Sequence, residues 1–133
     1  MRILAVTDLH YRLGHYDWLV RQAPNVDAVA LTGDLADVAN PVPLAVQVVV
    51  LEQYLEVLAD HTLVLVASGN HDLDGPGSHG EQVASWLGRP QPAGIHSDGT
   101  SLDVDGTRFT MCPWWDGPIT QEGVGRLLAA AAV

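Results

Sequence analysis

The chain has 133 residues, 47% of them hydrophobic and 17% charged, and carries a net charge of −10. That balance is too apolar for a disordered chain and suits one compact domain. Six Lys and Arg against sixteen Asp and Glu leave few cations to neutralise a run of phosphates, which disfavours nucleic acid as a partner. A small anionic substrate stays compatible, because bound divalent cations would reverse the local potential.

Cys112 is the single cysteine, so no intrachain disulfide can form, and a cytoplasmic setting is expected. The N-terminal apolar run is interrupted at Asp8. The longest apolar stretch, residues 42–51, contains Gln47 and falls well short of the roughly 20 residues that span a bilayer. No membrane partner is expected.

In chain order, residues 2–7 read as a buried strand, residues 15–23 as a short helix ending before Pro24, and residues 27–32 as a second buried strand. The run from Pro43 to Asp60 holds Val48-Val49-Val50, which favours a strand locally. Its length, its leading prolines and the Glu52/Glu56 spacing favour a helix joining two parallel strands. Residues 62–67 form a third strand. A loop over 74–78, a short helix over 81–87 and another loop over 88–94 follow. Residues 101–105 and 108–112, flanking Gly106-Thr107, predict a hairpin, and residues from 119 onward a helix. Alternating strands and helices predict an α/β fold with a parallel sheet, crossover helices and a C-terminal hairpin.

Three polar clusters follow the three early strands: Asp8-Leu9-His10, Gly33-Asp34-Leu35-Ala36-Asp37 and Gly69-Asn70-His71-Asp72. Parallel neighbours bring such loops to one sheet edge, where open α/β sheets place ligands. Carboxylate, imidazole and amide oxygen together suit Mn, Fe or Zn. Two divalent ions with Asp8, Asp34 and one hydroxide leave a net charge of about +1, which suits a phosphate. Gly33 and Gly69 are read as the points where the backbone turns sharply out of a strand.

The ordered set Asp-x-His, Gly-Asp-x-x-Asp and Gly-Asn-His-Asp, over residues 8–72, resembles the calcineurin-like metallophosphoesterases. Met111-Cys112-Pro113-Trp114-Trp115 is similar, less specifically, to a Pro- and Trp-containing turn in some bacterial members. The resemblance implies a partial αββα sandwich. It implies two divalent metal ions held by Asp8, His10, Asp34 and Asn70, with Asp34 shared, activating a bridging hydroxide to hydrolyse a phosphomonoester or phosphodiester. His71 would assist the leaving oxygen, oriented by Asp37. Val38-Ala39 stands where the protein-phosphatase branch has Arg-Gly, which speaks against a protein Ser/Thr phosphatase.

The family's later His and Gly-His-x-His motif have no counterpart after Trp115, and no histidine follows His96. Residues 1–133 are therefore expected to form a single metallophosphoesterase domain truncated at its C-terminus. The expected consequences are an incomplete metal site, an apolar surface prone to self-association, and little hydrolysis by this chain alone. A non-catalytic metal-binding remnant is the alternative expectation. Among the other candidates, Asp37 serves either a turn or His71, and Asp72 fixes its own loop. His15, His61 and His96 read as surface, helix-end and loop or strand residues, and His79 sits in a glycine-rich loop. Cys112 reads as a buried strand residue. Trp114 and Trp115 are expected to pack under the sheet edge rather than wall a cleft.

Overall fold

The computed structural model describes residues 1–132. In chain order the elements are β1 (Ile3–Val6), α1 (Leu13–Gln22), β2 (Ala28–Thr32), α2 (Leu44–Ala59), β3 (Leu63–Ala67), β4 (Gly75–Pro76), β5 (Gln82–Val83), the single turn α3 (Ser85–Gly88), β6 (Ile95–His96), β7 (Ser101–Val104), β8 (Thr107–Thr110) and α4 (Pro118–Ala131). The main sheet has the order β1-β2-β3-β6, and all of its pairings are parallel.

Parallel neighbours need a crossover, and α1 and α2 supply it on one face of the sheet. Val29, Leu31, Val64 and Val66 point to that face and meet Tyr16, Leu19, Leu51, Leu55 and Leu58. The Val48-Val49-Val50 run is helical because the buried positions of α2, Gln47, Leu51, Leu55 and Leu58, recur at helical spacing. Burying each leucine is worth about 1.5–3 kcal/mol. That outweighs a propensity cost of a few tenths of a kcal/mol per β-branched residue.

The opposite face carries Ala28 and Leu65, which pack against Met111, with Leu102 and Phe109 of the β7–β8 hairpin beside them. Helix α4 packs against β8. The layers run helices, parallel sheet, hairpin, helix. The fold is α/β with a four-stranded parallel sheet and crossover helices, as the resemblance implies. Among the described residues, no helix is long and apolar enough to cross a membrane.

Several local expectations need correction. Residues 81–87 do not form one helix. Gln82–Val83 pairs antiparallel with Gly75–Pro76, inside the segment expected to be a loop, and only Ser85–Gly88 winds a helical turn. Competing polar bonds explain this: Asp74 accepts from the Ser85 amide and hydroxyl, and Glu81 is engaged by α4. Strand β6, which pairs with β3, is too short for a periodic signal. The hairpin turn is Asp105-Gly106, one residue earlier than expected, with φ of 50° and 78°. Two positive φ values suit the twist of a tight hairpin, which favours Asp-Gly over Gly-Thr.

Candidate metal centre

The register of the sheet explains why the three motifs meet. Val6 pairs with Leu31, and Thr32 with Ala67. The residues that follow each strand therefore leave the same edge together. Main-chain bonds then join the loops: the amides of Asp8, His10 and Tyr11 donate to the carbonyls of Gly33, Asp34 and Leu35, at 3.1, 2.9 and 2.9 Å. The chain reaches these partners through left-handed backbone at Asp8, His10, Tyr11 and Asp34, with φ between 46° and 56°. Such conformations cost about 1–3 kcal/mol each outside glycine and gather at functional sites.

The two motif glycines act differently. Gly33, at φ +110°, provides the turn out of β2. Gly69 does not, since its φ of −110° suits any residue. It is needed for close approach: a Cβ there would stand 2.5 Å from the Asp34 amide nitrogen and overlap its carboxylate. The reading of Gly69 as a backbone turn is thereby corrected.

His10 Nε2 lies 3.4 Å from Asp8 Oδ1 and 3.7 Å from Asp34 Oδ2. His71 Nδ1 lies 3.2 Å from Asp37 Oδ1, and the two imidazoles meet edge to face at 4.7 Å between centroids. The other Asp34 oxygen, Oδ1, accepts the His71 amide at 2.9 Å, so Oδ2 is left toward His10. Asp37 Oδ1 also accepts the Ala39 amide, so one oxygen serves both roles expected of this residue. Asn70 opens the helical turn Asn70–Asp72 and is exposed, between Gly69 and His71. The Thr7 hydroxyl, 2.6 Å away, is the main cause holding the Asp8 carboxyl below its ordinary value, with His10 and Asp34 adding to it.

Ligand atoms of Asp8, His10 and Asp34 lie within 4.8 Å of one another, as do those of His10, Asp37 and His71. Carboxylates and imidazoles converging from three loops are a donor set that fits divalent metal. The cluster lies on an open rim, with side-chain exposures from 14% at Asp34 to 58% at Asp8.

A buried scaffold stands beneath it. Asp72 is fully buried, and its two oxygens accept the amides of Ala36 and Gly69 at 2.8 Å, which joins the second and third motifs and fixes its own loop. Burial pushes its carboxyl up to about 6 despite these bonds. The Tyr16 hydroxyl donates to the Leu35 carbonyl. Gln47, also buried, accepts the Asp37 amide and donates to the carbonyls of Asp37 and Val42. Sequence reasoning passed over this role of Gln47, although a lone amide four residues before Leu51 on an apolar helix face was its signal. Asp98 was also missed. It accepts the Ser68 amide at 2.8 Å, and burial raises its carboxyl. The other histidines lie outside the cluster, with His15 and His61 exposed and His96 in β6.

Trp114 and Trp115 do not pack under the sheet. They are 42% and 48% exposed and stack on each other, with ring centroids 5.7 Å apart. The Trp114 amide donates to Ser68 Oγ, which holds the segment outward beside the third motif. Cys112 lies just past β8 and is half-buried rather than within a strand.

The fold carries acidic and imidazole side chains that could hold a metal ion on three successive parallel-strand loops. The model of the calcineurin-like phosphoesterase family matches residues 1–114, and the chain belongs to that family. No curated protein matches the chain.

Proposed function

We propose that the chain is a metal-dependent phosphoester hydrolase acting on a small phosphomonoester or phosphodiester. The observation that carries this is the convergence of Asp8, His10, Asp34, Asp37 and His71 at one sheet edge within a family of phosphoesterases. Asp8, His10, Asp34 and Asn70 would hold two divalent ions, with Mn, Fe or Zn suited to these donors. Bound there, the ions would supply an activated water and offset the charge of the phosphate.

The chain's own residues prepare that chemistry. Asp34 is preset by the His71 amide, so its free oxygen points to the cluster without further ordering. Asp37 takes the Nδ1 side of His71 and leaves Nε2 as the nitrogen able to hand a proton to a departing oxygen. The nearby Gln47 clamp keeps Asp37 in place from below. The lone Cys112 supports a reducing, cytoplasmic setting. The edge strand β1, with Ile3 40% exposed, supports self-association.

The test is hydrolysis of aryl phosphate mono- and diesters with added Mn²⁺, on the chain and on Asp34→Asn. Metal-dependent turnover that disappears in the variant is expected. Metal binding by calorimetry without any turnover would favour the second reading, a non-catalytic metal-binding domain. That reading draws on the two His/Asp clusters sharing His10, so that among the described residues five such side chains are available to hold two ions.

A further inference from the structure

Beside the metal-binding edge lies a recess of about 440 Å³, walled by the 79–84 segment, the turn at Pro113-Trp114 and helix α4. Its size falls within the range of small-molecule pockets, about 300–1,000 Å³. The walls are chiefly apolar, with Trp114, Ile119, Val124 and Leu127 on them, while Asp98 and Arg126 add polar groups.

Two bonds tie this recess to the third motif. Asp98, on its wall, accepts the Ser68 amide, and the Trp114 amide donates to Ser68 Oγ. Ser68 stands two residues before Asn70, and two residues of extended chain span at most ~7 Å. The wall of the recess and the third motif are therefore tied together at Ser68. Trp114 is exposed although it stacks on Trp115, a state that leaves apolar aromatic surface in water at the recess wall.

We infer that this recess receives the organic group of the ester, a flat aromatic group of bicyclic size, while the phosphate lies on the Asp8, His10, Asp34 and His71 cluster. The inference rests on the phosphoesterase reading for its phosphate, and on the recess alone for its aromatic group. Chiefly apolar walls with one aromatic face favour a flat ring over a sugar or a peptide, because the polar side chains among them, His79, Asp98, Thr120 and Arg126, are too few to replace the water lost by many hydroxyls or amides. The negative balance of the chain adds no attraction for a polyanionic leaving group.

The experiment uses 1-naphthol as a binding probe and 1-naphthyl phosphate against methyl phosphate as paired substrates, with Mn²⁺. Gly123→Leu narrows the recess. A Cβ at position 123 meets only Arg126 Nη2, at 3.8 Å, and leucine suits a helix better than glycine, so the variant is expected to fold. In the wild-type chain, naphthol should shift the NMR signals of the Trp114 indole and the Ile119 and Leu127 methyls. Gly123→Leu should weaken that binding, and lower the naphthyl-to-methyl ratio of kcat/KM, by about tenfold. Trp114→Ala should lower the same ratio.

The outcomes separate the two readings. Naphthol binding at these residues with no hydrolysis of either ester supports the aromatic recess and overturns the hydrolase reading. Hydrolysis with an unchanged ratio in both variants overturns the recess and leaves the hydrolase reading standing. Naphthol that leaves the Trp114, Ile119 and Leu127 signals unmoved overturns the recess whatever the activity.

Discussion

The metal-binding edge and the C-terminal segment around Trp114 and α4 are held by different means. At the edge, main-chain amides of the first loop bond to main-chain carbonyls of the second, and a buried carboxylate fixes the third. Around Trp114 and α4, side chains make the attachments: Ser68 Oγ takes the Trp114 amide, and Glu81 takes two amides at the start of α4. Backbone bonds fix position with little entropy left to lose, whereas attachments through side chains must also order a rotamer and can open and reclose. The difference matches the proposed division of work, with chemistry on the rigid edge and recognition on the adjustable wall.

The sharpest way to break this comparison is at Asp34, which is tied to His71 through one oxygen and faces His10 with the other. Asp34→Asn removes a charge from the centre of the cluster. We expect metal-dependent turnover to fall by roughly 10²-fold or more, on the scale of lost electrostatic stabilisation. Circular dichroism should show the fold kept. A variant with wild-type rates would remove the cluster from the reaction.

Gly69→Ala tests the close approach of the loops. The new Cβ collides with the Asp34 carboxylate and amide, so the second and third motifs must move apart. Overpacking of this kind costs about 1–3 kcal/mol, and metal affinity should fall with it. Denaturant unfolding and metal titration measure the two effects. An alanine variant with unchanged stability would show that the loops are not in contact there.

The buried Asp72 adds a pH signature. Its folded value of about 6 exceeds the ordinary 3.8 because burial disfavours the charged form. The folded state thus binds the proton more tightly than the unfolded state. Stability from this group is fully present below pH 4 and is lost as pH rises through 6, a change of up to about 3 kcal/mol. Other carboxylates act in the opposite sense, so the measurement is a difference. In metal-free protein, the stability advantage of wild type over Asp72→Asn should narrow between pH 4 and pH 7. A gap that is constant or widens over this range would reverse the assignment.

What the sequence made legible follows the same division. The edge was readable because each motif follows a strand, and parallel register turns three local signals into one place. The helix over the valine run was readable from length and crossover need. The far side was harder. Strand β6 is two residues long, and β4 and β5 are equally brief, so neither periodicity nor propensity marks them. The exposure of Trp114 depends on a bond to Ser68, 46 positions away, which no local pattern encodes. Gly69 looked like a turn glycine because its neighbour Gly33 is one, and only the approach of Asp34 separates the two roles.

The smallest expected effect is at Glu81. Its oxygens accept the amides of Ile119 and Thr120 and the Thr120 hydroxyl, at 2.9, 2.8 and 2.7 Å. These donors belong to the first turn of α4, where amides lack partners within the helix and a negative charge is favourable. The hydroxyl and the two amides together hold the Glu81 carboxyl below its ordinary value against the opposing effect of burial, and His79 adds to this. Glu81→Gln keeps the shape and one acceptor but removes the charge. Ile119 and Thr120 also line the recess, so a looser start to α4 loosens its wall. Hydrogen exchange at the amides of residues 119–121 should quicken, while exchange at the His10 and His71 amides should not change. The naphthyl-to-methyl ratio should fall less than in Gly123→Leu, because the recess remains open. Equal quickening at His10 and His71 would show that the two regions are a single cooperative unit, and the division between a rigid edge and an adjustable wall would be lost.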